Sequence, residues 1–187
     1  MYSLAFDPQL TDQWFVGTPT DHCGDAWAFW RLLGGTSLEA DDLLPWRAKV
    51  QQSGKRLAFS FAGFDVPFVT SEIAVRLSQV LGGQAQFPEL SIDGAVSEHQ
   101  ILVVTKTVRC VDERLSEFTK WGPTDQRPDK EGEYRTFSRL RLDPARVPSD
   151  ATIFRVWGWK QALIVTDPIA RLLQSWVPTG LTYEAVV

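Results

Sequence analysis

The stretch that decides the fold runs over residues 65–92 and reads DVPFVTSEIAVRLSQVLGGQAQFPELSI. Thr70 or Ser71 can cap a helix here, because their side-chain oxygens accept hydrogen bonds from the free N–H groups of a first turn. Apolar residues then recur at helical spacing as far as Gly82-Gly83, a pair typical of a helix C-terminus. The sequence therefore predicts a helix over about residues 70–81.

Strands are predicted on both sides of this helix. Residues 85–92 follow it directly, and Pro88 within them indicates an edge position or a bulge. Residues 99–111 are the longest strand signal because they are rich in β-branched side chains. Other predicted strands cover residues 2–6, 13–16, 134–142, 152–157, 162–166 and 181–186.

A second helix is predicted over about residues 168–176. Asp167 and Pro168 are typical of a helix start, with Asp at the N-cap and Pro at the first helical position, and residues 178–180 would end it. The order of strands, helix, several strands, helix and strand predicts an α+β fold with a mostly antiparallel sheet and two main helices.

Size and composition agree with one globular domain. The chain has 187 residues, of which 44% are hydrophobic and 22% charged, and a chain of this size folds without a metal or disulfide. It begins without a basic, apolar leader and has no run of about 20 apolar residues, so we expect neither a signal peptide nor a membrane span. We expect a cytoplasmic location, with Cys23 and Cys110 as buried, reduced thiols.

The excess negative charge lies in the first quarter of the chain. Residues 1–50 hold seven acids and three bases, whereas residues 51–187 hold sixteen of each. This distribution disfavours nucleic-acid binding and favours a basic partner, although a solvated acidic face would give the same count.

Catalytic motifs are absent from the sequence. It has no nucleophile elbow, phosphate-binding loop, zinc-protease motif or dinucleotide fingerprint. His22 and Cys23 are adjacent and point apart on most backbones, and Cys110 sits in an apolar, strand-like run, where a thiol is usually inert packing. A catalytic pair of His99 with Cys23 or Cys110 is formally possible, but no motif supports it. The sequence therefore predicts no catalytic residue, no cofactor and no metal.

A mixture of aromatic and acidic residues between positions 21 and 46 is the most unusual feature. Residues 17–35 are expected to be irregular, and residues 38–52 to hold a helical turn or two. An aromatic centre inside a charged rim is typical of tight protein interfaces, although a half-buried core under an acidic loop has the same composition. The candidate partner-binding residues are Asp21, Asp25, Trp27, Trp30, Asp41, Asp42 and Trp46.

Several short pieces between residues 60 and 187 resemble a known family. They are Asp65-Val-Pro-Phe-Val-Thr-Ser, Gln86-Phe-Pro-Glu-Leu, Ile101-Leu-Val-Val, Cys110-Val-Asp-Glu, Ser116-Glu-Phe, Ile153-Phe-Arg-Val, Leu163-Ile-Val-Thr and Thr179-Gly-Leu-Thr-Tyr. In that order they resemble the bacterial polymorphic-toxin immunity proteins called immunity protein eleven, except that Phe87 meets Pro88 directly where the family pattern reads Gln-Phe-Ile-Pro. Residues 1–60 match no pattern of that family and form a less certain subregion of the predicted single domain.

The resemblance implies a non-catalytic protein, encoded beside a toxin, that binds the toxin's C-terminal domain and blocks it. It carries no functional-residue motif and implies no cofactor. We therefore expect an immunity protein that covers the active or substrate-binding surface of a cognate effector toxin. If that toxin is a nuclease with a basic face, an acidic inhibitor would compete with the phosphate backbone. A carbohydrate- or peptide-binding module that uses exposed Trp rings, or a small enzyme that uses His99 or Cys110, stays open as an alternative.

Overall fold

The computed structural model describes residues 1–95, 98–176 and 180–187. It has the predicted α+β fold with mostly antiparallel strand pairing. The helices are α1 (Phe29–Leu32), α2 (Ser71–Leu81) and α3 (Asp167–Ser175). The strands are β1 (Tyr2–Phe6), β2 (Phe15–Val16), β3 (Trp46–Gln52), β4 (Phe59–Ala62), β5 (Val66–Thr70), β6 (Ala85–Gln86), β7 (Glu89–Asp93), β8 (His99–Ile101), β9 (Val103–Val104), β10 (Thr107–Val108), β11 (Glu117–Lys120), β12 (Tyr134–Arg139), β13 (Ile153–Val156), β14 (Trp159–Val165) and β15 (Leu181–Ala185).

Six strands close into a barrel in the order β2-β3-β7-β8-β5-β4. Two of its pairings, β3 with β7 and β2 with β4, are parallel, and the others are antiparallel. Trp46 and Ala48 of β3 are buried while Arg47 and Lys49 between them are exposed, because successive side chains of a strand point to opposite faces. The buried set forms an apolar cluster that also receives Phe29 of α1.

The second sheet has five strands in the order β10-β13-β14-β1-β15. Strand β1 pairs antiparallel with β14 and with β15. Leu163 of β14 packs in a cluster with residues of α2 and α3, whereas its neighbour Ile164 packs in another cluster with residues of β12. Because adjacent side chains of β14 enter different clusters, this sheet is covered on both faces.

Helices α2 and α3 lie close to their predicted positions, whereas α1 falls within residues 17–35, which are predicted to be irregular. Helix α2 ends where Gly82 adopts a φ of 53°, as the glycine pair predicts. Thr70 is its N-cap residue but makes no side-chain capping hydrogen bond. At α3 the N-cap is Thr166, so Asp167 is the first helical residue rather than the cap. The predicted end of α3 includes residues that lie outside the described part of the chain. No described helix has the length and apolar character needed to cross a membrane.

Two long predicted strands are divided because their segments join different sheets. Within residues 99–111, β8 pairs in the barrel, β9 pairs with β6, and β10 pairs in the five-stranded sheet. Within residues 85–92 the break falls at Phe87-Pro88, since proline has no N–H to donate to a ladder. The chain thus crosses between sheets inside stretches that look uniform in the sequence.

Residues 38–52 contain one helical turn, where one or two are predicted, but the strand that follows Pro45 is not predicted. Only Ala40–Leu43 form a single 3-10 turn, and β3 occupies the rest. Strand β3 is held by pairing with β2 and β7, and this tertiary pairing overrides the local preference.

Candidate functional site

The predicted anchor Trp46 belongs to the core. It is 1% exposed and packs in the barrel cluster. Its indole Nε1 donates to the backbone oxygen of Asp42 at 2.9 Å, so its polar atom is satisfied within the protein. The prediction that Trp46 contacts a partner is therefore wrong, because the inward face of β3 places the ring out of reach.

Two of the predicted acidic residues are paired with Arg31 of α1. Its Nη2 lies 2.8 Å from Asp21 Oδ2, and its Nη1 contacts Asp42 Oδ1. Asp21 is buried, and the backbone N–H groups of Asp25 and Cys23 also donate to its Oδ1. The hydrogen bond from Asp25 is the main reason that the pKa of Asp21 is lowered; burial opposes it and Arg31 adds to it. Contrary to the prediction, neither Asp21 nor Asp42 presents a free carboxylate.

Three aromatic side chains are exposed on this side of the barrel. Trp27 is 69% exposed, Trp30 is 45% exposed and Phe64 is 56% exposed. Phe64 stacks on the buried Phe29, with 4.4 Å between ring centroids, and its ring centroid lies 6.2 Å from that of Trp30. We call Trp27, Trp30 and Phe64 the aromatic patch. The sequence predicted its two tryptophans and missed Phe64.

Phe64 is displayed by a strained loop. Gly63-Phe64-Asp65 join β4 to β5, and both Phe64 and Asp65 have positive φ angles, 60° and 56°. A Cβ on Gly63 would come within 2.7 Å of the backbone nitrogen of Thr18, so the loop has little room to relax. Left-handed backbone at such residues costs of order 1–3 kcal/mol each and clusters at functional sites. The only sequence signal is the glycine before Phe-Asp between two apolar runs.

Three carboxylates remain free beside the patch. Asp25, Glu39 and Asp41 are exposed, and none forms an ion pair within the described residues. Asp25 Oδ1 accepts from the backbone nitrogen of Trp27 at 2.8 Å, which fixes the turn that carries this ring. The pair between Asp42 and Arg31 holds the 3-10 turn with Asp41 against α1. We call these three residues the acidic rim.

A groove of about 400 Å³ opens on the other side of Trp30. It lies between α1, the loop from β11 to β12, and the hairpin of β13 and β14. Its aromatic lining residues are Trp30, Trp121, Tyr134 and Trp159. Basic side chains also line it, and we call it the cationic groove. The sequence does not reveal this groove, because its lining residues come together from distant parts of the chain.

Two of the residues considered for chemistry, His99 and Cys110, lie in packed surroundings, whereas Cys23 is exposed, contrary to the prediction. His99 is buried, with its ring 5.4 Å from that of Trp14 and 5.7 Å from that of Phe68. Cys110 is buried, and burial raises the pKa of its thiol to about 12, so it is protonated at neutral pH and poorly suited to nucleophilic attack. Among residues 1–95, 98–176 and 180–187, no group of three His, Cys, Asp or Glu side chains could hold a metal ion.

Comparison with known proteins adds no family to this geometry. The sequence matches no model of a known protein family, and a search of curated proteins returns no match. The resemblance to immunity proteins stays a prediction. The fold and site define an α+β protein with an exposed aromatic patch, an acidic rim and an adjacent cationic groove.

Proposed function

We propose that this protein is a cytoplasmic immunity protein that neutralises a cognate effector toxin by covering its active or substrate-binding surface. The aromatic patch is the observation that carries the proposal. Exposed tryptophans are the residues that most often dominate binding energy at protein interfaces. Phe64 is exposed although its loop is strained, which is accounted for if a partner covers the ring.

The acidic rim indicates that the partner is basic next to the patch. Asp25, Glu39 and Asp41 keep their charge unpaired, and such charges at an interface edge speed association with an oppositely charged surface. If the toxin is a nuclease, its basic substrate groove supplies that surface, and the rim would compete there with the phosphate backbone. The resemblance to immunity proteins supports the same class of partner.

The first test is rescue from the toxin encoded beside this protein. Co-expression should restore growth, and the two proteins should co-purify. The double variant Trp27→Ala with Phe64→Asn should lose rescue and weaken binding by about 30-fold or more, since truncating one interface hot spot costs about 2 kcal/mol or more. Leu115→Ala, at a residue 57% exposed outside the patch, is the matched control and should bind normally.

A second test addresses the rim. Asp25→Lys with Asp41→Lys should slow association about tenfold or more at low salt, and the difference should shrink as salt is added. Asp12→Lys with Glu89→Lys makes the same charge change at two exposed carboxylates outside the rim and should leave the rate nearly unchanged. Failure of the unaltered protein to bind or to rescue would exclude the proposed function.

A module that binds neutral carbohydrates is the second candidate, favoured by the aromatic lining of the groove. Trp30 and Trp121 carry cations over their rings, with Lys130 Nζ at 5.6 Å and the Arg135 guanidinium carbon at 4.8 Å from the ring centroids. A sugar that stacked on those faces would have to displace these cations. Saturable quenching of Trp fluorescence by neutral oligosaccharides, without toxin rescue, would favour this candidate.

A further inference from the structure

We propose that the cationic groove is a second contact site, which receives an acidic segment of the same protein partner. The proposal rests on the proposed function, because Trp30 belongs both to the aromatic patch and to the groove lining. A partner that covers the patch therefore reaches the mouth of the groove. The binding surface would then be mixed, with a basic area facing the acidic rim and acidic side chains entering the groove.

The positive charge of the groove is only partly neutralised from within. Arg127 is paired with Asp129, with its Nη2 at 2.7 Å from Oδ2. Arg135 Nη1 lies 3.5 Å from Asp125 Oδ1. Glu133 adds a second carboxylate to the lining, beside Asp129. Lys130 and Lys160 also line the groove, and neither forms an ion pair within the described residues, so four basic side chains face two acidic ones.

A buried cation contacts the backbone of one groove-lining residue. Arg155 of β13 is 0% exposed, and its Nη1 donates to the backbone oxygen of Gln161, a groove-lining residue, at 3.0 Å. Its Nε and Nη2 have no hydrogen-bond acceptor in the described part of the protein. Burial lowers the pKa of Arg155 to about 10, opposed by the negative charge of Asp65, so the guanidinium stays cationic at neutral pH.

This arrangement favours carboxylates over other occupants. A buried charge is screened weakly and attracts anions over several ångströms, although the negative charge of Asp65 offsets part of that of Arg155. Lys130 Nζ lies over the ring of Trp30 at 5.6 Å, so this cation lies beside an aromatic face. A side chain with an apolar stem and an anionic head, such as Glu, matches both features. The groove continues into the patch at Trp30, which favours a protein segment over a free small anion.

The test uses hexaglutamate as the probe and the indole N–H signals of Trp30, Trp121 and Trp159, followed by NMR. We expect saturable shifts of these signals with hexaglutamate and none with hexalysine. Lys130→Glu with Lys160→Glu should raise the half-saturating concentration about tenfold or more. Lys49→Glu with Lys55→Glu, which reverse two exposed lysines outside the groove, should leave it unchanged.

Three results would overturn the proposal. One is the absence of any shift with hexaglutamate, and another is an equal shift in the charge-reversed variant. The third is saturation of the groove by inorganic phosphate or adenosine monophosphate but not by hexaglutamate, which would make it a site for small anions. The probe contains no toxin, so loss of the hexaglutamate response removes the groove site and leaves the proposed function standing. Binding of hexaglutamate without toxin rescue would instead remove the proposed function.

Discussion

The segment of residues 21–46, rich in aromatic and acidic residues, and the cationic groove meet at Trp30 but use their charges in opposite ways. In the segment, Arg31 neutralises the two carboxylates nearest to it, Asp21 and Asp42. In the groove, Lys130 and Lys160 form no ion pair within the described residues, and the buried Arg155 donates a hydrogen bond to the backbone of the groove-lining Gln161. This difference shows that charges counted along a sequence do not give the charge of the folded surface, because ion pairs within the protein neutralise some of them. The charged residues that line the groove all lie in residues 51–187, the part of the chain whose charges balance.

The largest expected effect is a difference in the free energy of unfolding between substitutions of Trp46 and of Trp27. Trp46→Ala should lower the free energy of unfolding by about 3–5 kcal/mol, because it removes a fully buried ring and leaves a cavity. Trp27→Ala should change it by no more than about 0.5 kcal/mol, because this ring is mostly exposed. Urea unfolding of both variants measures the contrast. Equal losses would show that Trp27 is a core residue and would remove it from the patch.

The next prediction concerns the buried cation Arg155, whose substitution should not lower the free energy of unfolding. Arg155→Met should leave the free energy of unfolding unchanged or raise it by about 1–3 kcal/mol, because it removes buried donors without acceptors and keeps an apolar stem. The same variant should weaken hexaglutamate binding. Arg135→Met, at an exposed groove residue, is the control and should stay within about 0.5 kcal/mol. Strong destabilisation by Arg155→Met would instead make this residue a structural support.

A third prediction tests whether Asp21 is an internal partner of Arg31. The pKa of Asp21 is lowered in the folded protein, chiefly by the backbone N–H of Asp25. Its contribution to stability is therefore complete above the ordinary Asp pKa of about 3.9 and is lost as the pH falls through the lower folded value. Asp21→Asn should be less stable than the unaltered protein at pH 7, and the two should converge in strong acid.

The control for this pH series is Asp12→Asn, at an exposed carboxylate that forms no ion pair within the described residues. It should follow the unaltered protein at every pH. A constant difference between Asp21→Asn and the unaltered protein from pH 7 into strong acid would show that packing, not ionisation, makes Asp21 important.

How far the sequence predicts this molecule depends on how local each feature is. Helix α2 is predicted almost to the residue because its apolar spacing and Gly82 are local signals. Strand β3 was missed because its stability comes from β2 and β7, distant in the chain. Dependence on distant parts of the chain also explains why the exposed residues of the site are hard to predict. Exposure of Trp27 and burial of Trp46 depend on which face each residue takes in the barrel, and no pattern around either residue reveals it.

The smallest expected effect on stability is at Phe64. Two substitutions there distinguish the backbone strain of the loop from the stacking of the Phe64 ring on Phe29. Phe64→Asn should change the free energy of unfolding by less than about 1 kcal/mol, because Asn tolerates left-handed backbone while the lost stacking on Phe29 is worth about 0.5–1.5 kcal/mol. Phe64→Ala loses the same stacking and keeps the strain, so it should be the less stable of the two in urea unfolding. Both variants should lose toxin binding to a similar degree, since both remove the exposed ring. If Phe64→Ala proved as stable as Phe64→Asn, the loop would carry no strain, and the argument that a partner explains the exposed Phe64 would lose its energetic basis.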